Sequence, residues 1–199
     1  MKTKRNYPYI FQIIAPIYGL FYRSQKRNFM KQIHTILDQS VIQEGQTILD
    51  VGCGTGSLSS ALSEFGFSVT GVDPVRRMLQ IARKKDREKK VNYVLGNVLD
   101  GLNVDSKLYD ISIASYVAHG LKKQNRLKMY QEMKRVTKDK ILFIDYNQNR
   151  NFFISLIERL ERGDYFNYIK EVETELTEYF NAVSILPLNK HFSLYICEI

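Results

Sequence analysis

Two hydrophobic patterns alternate along this chain of 199 residues. Short runs of apolar and β-branched residues are typical of buried parallel strands, whereas apolar residues spaced three and four apart predict helices. The strand pattern occurs at 46–51, 68–72, 91–95, 109–114, 140–144, 183–186 and 192–198. The helical pattern occurs at 26–39, 57–65, 75–85, 121–136, 151–162 and 168–180.

The order of these elements predicts the fold class. Alternating strands and helices imply right-handed crossovers between parallel strands, with helices on both faces of the sheet. The short segment 187–190 splits the last two strands, and this connection is too short for a crossover helix, which makes that pair antiparallel. We therefore expect a single α/β domain over 1–199 with a Rossmann-like, doubly wound, three-layer architecture. Its seven-stranded sheet would be mostly parallel, with the last strand antiparallel.

Three glycines at alternate positions follow the first predicted strand, namely Gly52, Gly54 and Gly56. Ligands of open α/β sheets bind at the carboxyl ends of strands, where such a loop lies. Glycines let the backbone approach a ligand closely, and the next helix points its free N–H groups at it. No Lys-Ser/Thr pair follows Gly56, which disfavours a nucleoside triphosphate. The spacing also differs from the G-x-G-x-x-G of dinucleotide-binding folds.

Two carboxylates flank this glycine loop. Asp73 ends the second predicted strand, where a carboxylate can accept both hydroxyls of a ribose. Asp50 precedes the loop and would repel a pyrophosphate but attract a cation. A ligand with an ammonium group, a sulfonium and a ribose satisfies both carboxylates, whereas NAD satisfies only one. An NAD-dependent oxidoreductase remains the alternative enzyme.

The segments 48–56 (ILDVGCGTG) and 69–73 (VTGVD) resemble motif I and the acidic loop of class I S-adenosylmethionine-dependent methyltransferases. Further similarity lies at Met78-Leu79, at Gly96-Asn97-Val98 and around His119. Ala15-Pro16-Ile17-Tyr18 resembles the entry segment of small-molecule and quinone-type methyltransferases, although Gly19 stands where that branch has Asp.

The resemblance implies S-adenosylmethionine as cofactor and a small-molecule acceptor. Asn97 replaces the family's common Asp, and its amide oxygen can still accept a hydrogen bond from the adenine amino group. The cofactor-binding residues implied in this way are Asp50, Gly52, Cys53, Gly54, Gly56, Asp73, Pro74, Met78, Asn97, Val98 and Ser115.

His119 and Tyr18 are the catalytic candidates. Methyl transfer from a sulfonium is an in-line displacement, so the enzyme mainly positions the reactants and excludes water. His119 follows the fourth predicted strand and is the candidate base, although a helix-capping or cofactor-packing histidine is an alternative. Tyr18 is the candidate for contact with donor or acceptor. Cys53 is interpreted as a small residue between glycines, with a reactive thiol as the less favoured alternative.

Aromatic residues crowd the N-terminal segment. Such a stripe is more often core than substrate-binding surface. Because it precedes the sheet and contains prolines and a glycine, it also suits an N-terminal helical lid or cap over 1–40. The aromatic residues concerned are Tyr7, Tyr9, Phe11, Tyr18, Phe21, Tyr22 and Phe29.

Several motifs of other methyltransferases are missing after the fourth and fifth predicted strands. The fourth strand is followed by no Asn/Asp-Pro-Pro-aromatic motif and no glutamate pair, and no cysteine sits directly after strand four or five. These absences disfavour nucleic-acid bases and protein arginine as acceptors. Small organic acceptors remain.

The net charge of +8 is unevenly distributed. Residues 1–31 carry seven Lys/Arg and no Asp/Glu, which leaves peripheral contact with an anionic membrane or an acidic partner open. The other basic clusters suit solvated helix faces, so a nucleic-acid partner is disfavoured. A non-catalytic cofactor-binding or RNA-associated protein is the remaining alternative.

Cysteine content and hydropathy suggest the compartment. Cys53 and Cys197 are too few and too far apart for a disulfide framework or a zinc site, so no metal is expected. A signal peptide and an apolar run long enough to cross a bilayer are not recognised. We expect a cytoplasmic enzyme of unspecified oligomeric state.

Overall fold

The computed structural model describes residues 7–147 and 164–199, without the side chains of 7–10. The predicted helix over 151–162 lies outside the described residues. The described helices are α1 (Tyr7–Asp38), α2 (Ser57–Glu64), α3 (Arg76–Lys85), α4 (Lys123–Val136) and α5 (Tyr165–Tyr179). The described strands are β1 (Thr47–Val51), β2 (Ser68–Asp73), β3 (Val91–Leu95), β4 (Tyr109–Ser115), β5 (Thr137–Tyr146), β6 (Ala182–Pro187) and β7 (Phe192–Glu198).

The chain divides into two compact units, Met1–Asn97 and Val98–Ile199. In the first unit β2 pairs in parallel with both β1 and β3. Every residue of β1 from Ile48 to Val51 is buried, as expected for a strand covered on both faces. Helix α1 packs against α2 and α3 in this unit.

In the second unit β5 pairs in parallel with β4 and antiparallel with β7, and β7 pairs antiparallel with β6. The described strands belong to one seven-stranded sheet in which β7 is antiparallel to both of its neighbours, β5 and β6. This confirms the predicted α/β fold class, including the reversed last strand.

Helix α1 is much longer than the predicted helix at 26–39, because two prolines that suggested interruptions are accommodated. Pro8 lies in the first turn, where an N–H group has no partner in the helix anyway. Pro16 lies inside the helix and cannot donate to the carbonyl of Gln12. Arg77 on α3 donates from Nη1 to that carbonyl at 3.2 Å instead.

Strand β5 also begins earlier than predicted, at Thr137 directly after α4. The chain has no Pro-Gly turn at this point, so nothing forces a loop between the two elements. Thr137 is buried, and its Oγ1 lies 2.5 Å from Oγ of Ser112 on β4. This side-chain contact joins the extended start of β5 to the neighbouring strand.

Candidate functional site

The glycine loop connects β1 to α2 and is anchored to the end of β2. The N–H groups of Gly52 and Cys53 donate to the carbonyl of Val72, at 2.8 and 3.1 Å. The loop glycines Gly52, Gly54 and Gly56 have φ angles of 72°, 54° and 78°. Residues with a Cβ rarely adopt this left-handed region, so the loop path itself requires glycine.

Gly54 and Gly56 differ in what surrounds them. A Cβ added at Gly54 would meet no atom within 4 Å, so this side of the loop is open. A Cβ added at Gly56 would lie 2.9 Å from Cζ of Tyr93 and 3.0 Å from Cβ of Ala82. Gly56 therefore lets α2 begin close to β3 and α3, while Gly54 leaves room for a ligand against the backbone.

Asp73 ends β2, and its side chain anchors the glycine loop. Its Oδ2 accepts the N–H of Gly54 at 2.9 Å, and its Oδ1 accepts the N–H of Val75 at 2.8 Å. Burial raises the pKa of Asp73 to about 6, while these two backbone hydrogen bonds lower it. Each carboxylate oxygen has a second lone pair, so the group can also accept ribose hydroxyls. The next residue, Pro74, is exposed.

Asp50 lies on β1 and has no exposed surface. The hydroxyl of Ser59 on α2 donates to its Oδ2 at 2.5 Å, whereas its Oδ1 has no hydrogen-bond partner among the described residues. Burial raises its pKa to about 7, with a further rise from the charge of Asp73 and a partial offset from Ser59. The carboxylate is therefore fully buried near the end of β1, two residues before the glycine loop.

Asn97 and Val98 follow β3 after one residue, Gly96. The N–H of Gly96 donates to the backbone carbonyl of Asp73 at 3.2 Å, which brings the end of β3 beside the end of β2. Asn97 is half-buried, and Val98 is buried at the start of a short 3-10 turn. The predicted role of these two residues in binding adenine stays a prediction.

Met78 and Tyr18 come together where α1 crosses α3. Met78 is buried with Ala15 and Val75, and Tyr18 packs against this cluster. A Cβ on Gly19 would lie 3.2 Å from Cγ2 of Ile81, so α1 and α3 approach closely here. Of the predicted aromatic stripe, Tyr22 and Phe29 are core residues and Phe21 is exposed. Whether 1–40 serves as a lid stays a prediction.

Cys53 is a buried thiol rather than an accessible nucleophile. Burial raises its pKa well above the ordinary value, and the charges of Asp50 and Asp73 raise it further. A Cβ on Gly71 would lie 3.0 Å from both Cys53 Sγ and Ser59 Oγ. Gly71, which pairs with Asp50 across the two strands, therefore lets α2 approach near enough for Ser59 to reach Asp50.

The second unit contains a separate cluster around His119. Nδ1 of His119 lies 2.7 Å from Oδ1 of Asp145 on β5, and its backbone N–H donates to Oδ2 at 3.3 Å. A carboxylate beside Nδ1 favours the tautomer with the proton on Nδ1, which places the basic lone pair on Nε2. The N–H of Tyr146 also donates to Asp145, at 2.8 Å. Sequence reasoning selected His119 but missed Asp145.

Aromatic rings enclose this pair. The ring of Tyr146 lies 4.7 Å from that of His119, and the rings of Tyr165 and Tyr168 lie 6.4 and 6.5 Å away. Behind them the guanidinium of Arg126 lies over the ring of Tyr168, at 5.4 Å. The His119–Asp145 pair is thereby held in a fixed, largely dry environment.

A charge network fixes the position of Arg126, which has no exposed surface. Its Nε and Nη2 donate to the two oxygens of Glu175 on α5, each at 2.7 Å, and its Nη1 donates to Asp164 at 2.9 Å. Desolvation lowers the pKa of Arg126, but the hydrogen bonds that it donates to Glu175 and Asp164 outweigh this effect and raise it.

Ser115 ends β4 in the same unit, and Tyr116 follows it. Ser115, a predicted cofactor contact, is half-buried. Tyr116 has a φ of 55°, an uncommon value for a bulky residue, and such outliers concentrate at functional sites. Its ring contacts those of Tyr146 and Phe192, with centroids 6.0 and 5.2 Å away. No sequence signal marks this backbone conformation.

The first unit fits a cationic nucleoside by three features. The open side of Gly54 can take a ligand against the backbone. Asp73 offers acceptors for hydroxyl groups, and Asp50 supplies a buried negative charge with one unpartnered oxygen among the described residues. A buried acceptor without a partner is rare, and a ligand or water nearby explains it.

Comparison with known proteins shows similarity to methyltransferases. A family model described as a methyltransferase domain matches residues 48–140. An uncharacterised methyltransferase of Bacillus licheniformis is 28% identical over 178 residues, covering 85% of this chain and 80% of the relative. A ubiquinone biosynthesis O-methyltransferase of Hydrogenovibrio crunogenus is 44% identical over 85 residues, covering 42% of this chain and 32% of the relative.

A solved structure shares the fold. The S-adenosylmethionine-dependent methyltransferase of Aquifex aeolicus superposes with a TM-score of 0.67 at 21% identity, covering 83% of this chain and 88% of that one. Together with the matched family model and relatives, this places S-adenosylmethionine as the cofactor. The matched domain, the relatives and the shared fold support a class I S-adenosylmethionine-dependent methyltransferase.

Proposed function

We propose that this methyltransferase transfers the methyl group to a small organic acceptor, with the donor held by the glycine loop. The observation that carries the proposal is Asp73, whose carboxylate joins the loop to the start of α3 through two backbone hydrogen bonds. A sulfonium-bound methyl group supplies the driving force of transfer when the donor is bound. The residues of this chain then have to hold the donor, orient the acceptor and exclude water.

The donor contacts are assigned residue by residue. Gly52, Gly54 and Gly56, with Cys53 between them, present backbone to the donor, and Asp73 accepts its ribose hydroxyls. Asp50 attracts the amino end from beneath the loop. The remaining proposed contacts are Pro74, Met78, Asn97, Val98 and Ser115.

His119 is the proposed base for the acceptor. In this proposal Asp145 orients the ring through Nδ1, and Nε2 takes the proton from a hydroxyl group. Tyr18 is proposed to contact donor or acceptor. A relative named for ubiquinone biosynthesis O-methyl transfer makes hydroxylated rings the first acceptor class to test.

Release of S-adenosylhomocysteine with a panel of small phenols, amines and thiols tests this assignment. With an accepted hydroxyl compound, His119→Gln should lower kcat by about 10²–10⁴-fold without changing donor affinity, because only proton removal is lost. Asp145→Asn should lower kcat and shift the pH profile, since the wrong tautomer becomes populated.

His34→Gln is the matched control, because His34 lies on α1 and contacts the ring of Phe65 instead. It should leave kcat unchanged. Turnover confined to oligonucleotides or proteins would contradict a small acceptor. Full activity of His119→Gln would remove this residue from the mechanism.

A further inference from the structure

Helix α1 exposes a group of large apolar side chains. Ile13, Ile17, Leu20 and Phe21 are 57%, 54%, 82% and 58% exposed. Their spacing of four, three and one residues places them on one side of the helix, over more than two turns. Scattered exposed apolar residues are ordinary, whereas a contiguous set on one helical face indicates an interaction surface.

This set is not part of the packing of α1 on the rest of its unit. The buried residues of the helix include Ala15, Tyr22, Phe29 and Ile33. At about 100° per residue these lie on the opposite side of the helix from Ile17 and its neighbours. The helix therefore has one apolar side for the protein core and a second that faces outward.

Further along the helix the outward side becomes polar and basic. Ser24, Arg27, Asn28 and Lys31 are exposed and continue the line of the apolar set. We call the two parts together the outer face of α1, defined by the exposed residues 13, 17, 20, 21, 24, 27, 28 and 31. Its first half is apolar and its second half is basic.

The positive charge of the N-terminal segment indicates the kind of partner that the outer face of α1 binds. Residues 1–31 contain seven Lys/Arg and no Asp/Glu. Lys26 contacts Ser60 and Glu64 within the protein, whereas Arg23, Arg27 and Lys31 are exposed. Two copies meeting through this face would bring like charges together, which disfavours self-association. A partner with an anionic surface and an apolar interior matches the basic and apolar halves of the outer face of α1.

We propose that the outer face of α1 docks on the surface of an anionic phospholipid bilayer. The helix lies in the plane of the interface, with its apolar half at the boundary of headgroups and acyl chains and its basic half against lipid phosphates. The proposal is independent of the methyl-transfer chemistry. Over residues 7–147 and 164–199, no helix is long and apolar enough to span a bilayer.

Flotation with phosphatidylcholine vesicles, with and without phosphatidylglycerol, tests the proposal on the full chain without cofactor. The protein should float with vesicles that contain phosphatidylglycerol. Its binding to neutral phosphatidylcholine vesicles should be weaker by about tenfold or more. Leu20→Glu should reduce binding by about tenfold, because it places a charge in the apolar half. Leu108→Glu is the matched control, since Leu108 is also exposed but lies outside α1.

The basic half is tested separately. Replacing Arg27 and Lys31 together by Gln should weaken binding to phosphatidylglycerol vesicles by about tenfold or more. Lys123 and Lys128 on α4, replaced in the same way, remove the same charge elsewhere and should have no such effect. Thermal unfolding of each variant confirms that the surface substitutions leave the fold intact.

The proposal is overturned if the wild-type protein does not float with anionic vesicles. It is equally overturned if each α1 variant and its control lose binding alike. A concentration-dependent dimer that Leu20→Glu dissociates, without vesicle binding, would assign the face to a second copy instead.

Discussion

At the scale of single residues, Asp50 has the least usual environment in the site. It is fully buried, one oxygen accepts from Ser59, and the other has no partner among the described residues. Burial raises its pKa to about 7, so ionising it in the folded protein costs free energy. A cationic ligand bound at the glycine loop would offset this cost.

The stability of the ligand-free protein should therefore fall as the pH rises. An unfolded Asp has a pKa near 3.8, so Asp50 binds its proton more tightly when folded. The contribution of Asp50 to the free energy of unfolding is constant below pH 3.8 and decreases between pH 3.8 and about 7. Above that pH it is constant again. The maximum loss from this group is on the order of 4 kcal/mol.

Asp50→Asn removes this titration. The free energy of unfolding of the variant, relative to the wild type, should rise by a few kcal/mol between about pH 4 and pH 8. Denaturant unfolding at several pH values measures it. Parallel pH dependence in the two proteins would contradict the assigned environment of Asp50.

At the scale of elements, α1 shows how a distant side chain changes the structure that a local sequence adopts. The proline at position 16 argues for an interruption, and only the arginine on α3 compensates for the missing hydrogen bond at Gln12. Sequence separation between the partners is 65 residues, so no local pattern contains this information. The prediction of 26–39 found the half of the helix without proline.

Arg77→Ala should loosen the first half of α1. Loss of its hydrogen bond to an exposed carbonyl costs about 0.5–1.5 kcal/mol, and amide hydrogens around Pro16 should exchange faster. Arg76→Ala is the control, because Arg76 is the neighbouring exposed arginine on the same helix. Hydrogen exchange followed by mass spectrometry compares them. Equal exchange in both variants would show that α1 does not depend on this contact.

Other elements were predictable because their signals are local. The strands β3 and β7 have the predicted bounds, since apolar runs flanked by polar residues define buried strands. Asp73 was found because it follows such a strand next to a glycine loop. Asp145 has the same signal at the end of β5, but its meaning depends on His119, 26 residues away in sequence. Contacts of this kind emerge only from the fold.

At the scale of the whole molecule, the cofactor is identified, whereas the acceptor is only proposed as a chemical class. The proposed donor-binding residues other than Val98 and Ser115 lie in one segment, 48–97, which the matched methyltransferase domain covers. The proposed acceptor contacts lie around His119 and in the aromatic N-terminal segment, and no short motif encodes their chemistry. The outer face of α1 adds a surface that motif I and its neighbours do not involve.

Binding of S-adenosylhomocysteine, measured by calorimetry, tests the central claim that the glycine loop and Asp73 hold the donor. The wild-type protein should bind, and Asp73→Asn should weaken binding by about tenfold or more, because a charged acceptor for the ribose is lost. Asp86→Asn is the matched control, since Asp86 is equally buried and also accepts two backbone N–H groups, from Lys90 and Val91. It should leave the affinity unchanged. Absence of binding to the wild type, or equal weakening in both variants, would contradict the account.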